Sequence, residues 1–145
     1  MIIAASWLPA LWFYARHDHI DRLDNPTVAG AADQACAAVS SALSATQGLS
    51  RTERITAGNT AIDQLITTMD ALGPDALAGD YPSTAWIADW RSLHSARNDV
   101  AVAMSIAPTT SLVVPLTPDG YPITLRMIDA SGPSCEQAIT LAAAP

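Results

Sequence analysis

The chain has 145 residues, enough for one domain with a core of its own. Seven Arg, no Lys and fourteen acidic residues give a net charge of −7 and a pI of about 4.5, which argues against nucleic acid or anionic lipid as a partner of the domain. Half of the residues are hydrophobic, which excludes extensive disorder, and the abundance of Ala with Arg in place of Lys reflects a GC-rich genome rather than a function.

The chain begins with an apolar run, Ile2–Ala15, that stops at Arg16-His17-Asp18-His19. As a helix these fourteen residues would rise about 21 Å. A bilayer's hydrocarbon core is about 30 Å thick, so the run is short for a full span, and Pro9 interrupts it. A secretory signal fits worse. No basic residue precedes Ile2, and Trp12-Phe13-Tyr14 occupies the place of a small-residue cleavage site. Aromatics beside Arg16 suit a membrane–water interface instead. We therefore expect an apolar N-terminal membrane segment over 1–15 and a polar juxtamembrane stalk over 16–24, followed by an acidic helical domain over 25–145. Arg16 and Arg22, counted by the positive-inside bias, would place that domain in the cytoplasm. A start upstream of Met1, supplying the missing apolar turn and a basic flank, removes the conflict. The alternative is a buried N-terminal helix of a soluble protein.

Asn25-Pro26 opens a first helix, with Asn as N-cap and Pro at the first helical position. It runs to about Gln47 and stops at Gly48. Val28, Ala32, Cys36, Val39 and Leu43 recur at three- and four-residue steps and share its buried face. Ser50-Arg51-Thr52-Glu53 is a capping box for a second helix, whose stripe is Ile55, Ile62, Leu65, Ile66, Met69 and Leu72. Gly73-Pro74 ends it. A loop to Pro82 holds one short helical turn around Asp75–Ala78. Ser83 or Thr84 then caps a third long helix with Trp86, Trp90, Leu93, Val100 and Met104 on its core face, ending before Pro108.

Beyond it, Ser111–Leu116 is short and β-branched, and Pro118-Asp119-Gly120 is strong turn chemistry, so a small hairpin or extended arm is expected. The segment 122–130 fits a strand or a helix, and a short helix is the preferred reading. Cys135–Leu141 forms a final short helix or turn. The fold class is thus mainly α: a bundle of three long amphipathic helices, a short C-terminal extended arm or hairpin, and the N-terminal apolar helix.

Cys36 and Cys135 are the only cysteines. Beside a membrane segment, one disulfide joining the first helix to the C-terminal tail is the natural reading, against two buried reduced thiols. Closing a loop of ninety-nine positions contributes about 4–5 kcal/mol in the chain-entropy model.

Three polar or aromatic groupings could carry chemistry. His17, Asp18, His19, Asp21 and Asp24 are metal-ligand types, with His17, His19 and Asp21 the candidates, but no partner cluster completes a site and a solvated stalk is the preferred reading. Arg91, His94 and Arg97 recur every three residues on the third helix, either an anion-binding stripe or a solvated face. Trp86 and Trp90 lie one turn apart, at core spacing or beside a pocket. No nucleophile elbow, phosphate loop, haem signature or paired-carboxylate motif is present, so no enzyme activity and no cofactor are expected.

Phe13-Tyr14-Ala15-Arg16-His17-Asp18 after an apolar run, then Asp24-Asn25-Pro26, Ala32–Cys36 and a late Cys135, resemble small uncharacterised membrane-anchored extracytoplasmic proteins of high-GC Gram-positive bacteria. The resemblance implies a single-pass anchor with its domain outside the cytoplasm and carries over no activity. This chain departs from the group in its short apolar start. Two functions follow as expectations: a non-catalytic domain acting through protein–protein contact, as an accessory subunit of an envelope membrane complex, or a small-ligand or metal-binding module.

Overall fold

A computed structural model describes residues 22–145 of the chain. The apolar segment expected over 1–15, with its helix, and residues 16–21 of the expected stalk lie outside the described residues. Among the described residues there are six helices and no strand: α1 Pro26–Ala45, α2 Arg51–Asp70, α3 Pro74–Ala78, α4 Ser83–Ala103, α5 Ile123–Ala130 and α6 Pro133–Ala143. None is long and apolar enough to cross a membrane.

Local signals set most boundaries. Asn25 caps α1, its Oδ1 accepting from the Thr27 and Val28 amides at 2.9 and 3.4 Å. The capping box of α2 is complete: the Glu53 amide donates to Ser50 Oγ at 3.3 Å, and the Ser50 amide donates to Glu53 Oε2 at 2.9 Å. The Ser50 hydroxyl also donates to Glu53 Oε2 at 2.6 Å, and this bond, followed by that of the Ser50 amide, holds the Glu53 carboxyl below its usual pKa. The turn between α1 and α2 passes through Gly48 at φ 96°, a conformation that disfavours any side chain. At α4 the structure differs from expectation. Neither Ser83 nor Thr84 caps it; Pro82 holds the N-cap position, and the Ser83 hydroxyl donates instead to the Leu77 carbonyl at 2.7 Å, tying α4 to α3.

Helix α1 packs against α2 and α6, α2 also packs against α4, and α5 bridges α4 and α6. The expected stripe of α1 is buried throughout, as are Ile55, Ile62, Leu65 and Met69 of α2 and Trp86, Trp90, Leu93 and Val100 of α4. The two indoles meet edge to face, with centroids 5.9 Å apart and planes at 81°. The Trp86 indole also donates to the Met127 carbonyl of α5 at 3.1 Å. Cys36 of α1 and Cys135 of α6 are joined, with sulfurs 2.00 Å and Cα atoms 4.9 Å apart.

The C-terminal third departs most from the sequence reading. Between α4 and α5 the chain forms a loop closed by one antiparallel bridge, Leu116 with Pro122, and by the Thr117 amide donating to the Tyr121 carbonyl at 2.7 Å. Pro115, Pro118 and Pro122 remove three of the amides that a longer ladder would need. The tail that folds back along the body is helical, as α5 and α6.

Candidate functional site

Two places gather polar or aromatic groups that the core does not require. The first lies along the seam between α2 and α4, where the expected Arg91–His94–Arg97 stripe falls. Arg91 donates to both Asp70 oxygens at 2.6 and 2.7 Å, and His94 Nε2 lies 3.3 Å from Asp63 Oδ1. Arg97 is fully buried. The stripe thus runs from solvent inward: Arg91 stays exposed, His94 is partly covered, and a period of three residues carries Arg97 into the core. The Arg97 guanidinium donates from Nε to Asn59 Oδ1 at 2.7 Å, from Nη1 to the Ala142 carbonyl at 2.5 Å and from Nη2 to the Ile55 carbonyl at 3.5 Å. Asn59 in turn donates to Asn98 Oδ1. No carboxylate pairs with this charge among the described residues. Its compensation is the negative end of α6, where the Ala142 carbonyl lies in the last turn. Burial pulls the Arg97 pKa down to about 10, so the side chain stays charged at neutral pH. Gly58 supplies the room: a Cβ there would fall 2.5 Å from Arg97 Nη2 and 2.5 Å from Leu43 Cδ2. This is a structural clamp among α2, α4 and α6, and it employs Arg97 fully in holding the fold.

The second place is a cleft of about 610 Å³ between the start of α4, the loop before α5 and the length of α5. That volume lies within the usual range of ligand sites. Two Tyr-Pro pairs build it. In each, the proline occupies the N-cap position, Pro82 of α4 and Pro122 of α5, so the tyrosine is the last residue before a helix begins. Tyr81 is 78% exposed and Tyr121 66% exposed, and both line the cleft. Asp80, just before Tyr81, is buried and accepts from the Asn25 amide at 3.0 Å, which pins this corner to the start of α1. Its other oxygen has no partner. Burial raises the Asp80 pKa, with the charge of Asp24 adding to the effect. Gly120, at φ 85°, makes the turn that brings Tyr121 round.

Trp86 and Leu125 add apolar surface to the cleft, and Asp119, Arg126 and Asp129 add charge. Arg126 is held by Asp89 through two bonds, Nε to Oδ2 at 2.9 Å and Nη2 to Oδ1 at 2.7 Å. By accepting these bonds, Asp89 raises the Arg126 pKa above its ordinary value. Asp119 and Asp129 are exposed and enter no ion pair.

No family model, curated protein or solved structure matches this chain. Function has to be read from the side chains themselves. Among the described residues no group of three or more His, Cys, Asp or Glu could hold a metal ion. His17, His19 and Asp21 lie outside the described residues. Of the aromatic pair, Trp90 is wholly in the core and Trp86 touches the cleft only as its floor. Tyr81 and Tyr121 were not singled out by the sequence reading. Their one local signal was the repeated Tyr-Pro dipeptide, and forty residues separate the two copies.

Proposed function

We propose that the protein is a non-catalytic, membrane-anchored domain on the extracytoplasmic side that acts through protein–protein contact, as an accessory subunit of an envelope membrane complex. One observation carries the contact reading. Of the eight large hydrophobic residues exposed among the described residues, Tyr81, Tyr121 and Leu125 line one cleft. Exposed apolar side chains gathered in one region mark an interaction surface more often than chance scatter. In this reading the long helices α1, α2 and α4 form the bundle, and the loop over 104–122 is the arm that presents the contact surface. The compartment rests on the apolar run Ile2–Ala15 and on the pairing of Cys36 with Cys135, which an oxidising environment favours. Cell fractionation combined with thiol alkylation tests it. The expected result is recovery with membranes and no alkylation until a reductant is added. Recovery in the soluble fraction with both thiols alkylated directly would contradict it.

The volume and aromatic lining of the Tyr81–Tyr121 cleft favour a second reading, a small-ligand module, with His17, His19 and Asp21 as its metal-binding variant. Thermal shift against a panel of metals and metabolites separates the two, since a ligand that binds only the native state raises the midpoint.

A further inference from the structure

Resting on the contact reading above, we propose that the cleft between α4 and α5 receives a cationic side chain, arginine or lysine, carried by an extended segment of the protein partner. Three observations converge on a cation. Tyr81 and Tyr121, both exposed, line one cleft, and aromatic rings attract guanidinium and ammonium groups. Asp119 and Asp129 add two unpaired carboxylates to the same cleft. The one cation there, Arg126, is matched by Asp89, so the excess charge of the cleft is negative.

The negative field also extends past the cleft. Asp129 borders a second depression of about 400 Å³ at the start of α1, where Asp24, Asp33 and Glu136 stand against the single cation Arg22. A basic side chain in the cleft can thus be followed by further basic residues along the chain. An anionic partner would meet these carboxylates, and a purely apolar one would leave them without purpose. The net charge of −7 draws a basic segment toward the domain before contact.

The test is fluorescence anisotropy of fluorescein-labelled octa-arginine with the full-length protein, with octa-citrulline as the neutral isostere. Saturable, salt-weakened binding of octa-arginine and none of octa-citrulline is expected. Tyr81→Ala and Tyr121→Ala should each weaken binding about two- to fivefold, the size of an exposed cation–π contact. Tyr121→Phe should retain it, because the π face remains. Asp129→Asn should weaken it. Asp99→Asn should not, since Asp99 lies about 20 Å further along α4 than Trp86. Absence of saturable binding, unaltered binding by both alanine variants, or equal losses for Asp129→Asn and Asp99→Asn would overturn the proposal. Should a discrete protein still crosslink from Leu125 after such an outcome, the contact reading stands and only the cationic occupant falls.

Discussion

Replacing Gly58 by alanine should destabilise the protein, although helix propensity alone says the opposite. Gly58 lies inside α2, where alanine is favoured over glycine by about 1 kcal/mol. The added methyl would sit 2.5 Å from both Arg97 Nη2 and Leu43 Cδ2. Leu43 can move by rotamer change. Arg97 cannot move freely, because its guanidinium is held by Asn59, the Ile55 carbonyl and the Ala142 carbonyl. Overpacking of this kind costs about 1–3 kcal/mol, and loss of one hydrogen bond to a buried charged group costs about 1.5–3 kcal/mol. Set against the propensity gain, the net is a loss of about 1.5–5 kcal/mol. For a domain of this size that corresponds to a fall in Tm of roughly 5–16 °C. Urea unfolding followed by far-UV circular dichroism, with a thermal melt beside it, reads both quantities. An alanine variant as stable as the parent, or more stable, would refute the view that Arg97 is rigidly clamped and that Gly58 exists to admit it.

Three other outcomes are expected. Cys36→Ala/Cys135→Ala should lower stability by up to about 4–5 kcal/mol, the chain-entropy value for a loop of this length, and adding reductant to the parent should reproduce most of the loss in a urea midpoint. Asp80→Asn should stabilise the protein at pH 7, and its advantage should shrink as pH falls. The parent carboxyl has a raised pKa when folded, so the native state binds its proton more tightly than the unfolded chain, and the parent gains stability on acidification through that raised value. Urea midpoints at pH 7 and pH 4.5 test this, and a variant weaker than the parent at both pH values would contradict it. Arg126→Ala should cost about 2 kcal/mol by leaving the buried Asp89 carboxylate without its partner, less than a fully buried pair because Arg126 itself is half exposed. A double-mutant cycle with Asp89→Asn should return a coupling of the same order, and additive losses would argue that the pair contributes nothing.

What could be read from the sequence and what could not divide along physical lines. The starts of α1 and α2 were legible because Asn25-Pro26 and the Ser50–Glu53 box are complete within four residues. The core face of α1 was legible because a helix repeats its faces every three or four positions. The burial of Arg97 was not, because its environment comes from residues 38, 42 and 45 positions away. A charged residue at helical spacing reads as solvated until its long-range partners are known. The cleft was hidden for the same reason: Tyr81 and Tyr121 each look like ordinary turn residues, and only the packing of α4 against α5 brings them to one surface. The short helices of the C-terminal tail were legible, but the hairpin or arm expected before them reduces to one bridge, because the prolines at 115, 118 and 122 remove amides that a ladder needs.

The central claim is that the cleft lined by Tyr81, Tyr121 and Leu125 meets a protein partner. Site-specific photo-crosslinking in intact cells tests it most directly, with a benzophenone amino acid placed at Tyr121, at Leu125 and, as a control on the exposed face of α2, at Thr60. Illumination should give the same discrete higher-mass species from Tyr121 and Leu125 and none from Thr60. No discrete adduct from either cleft position, or the same adduct from Thr60, would contradict the account.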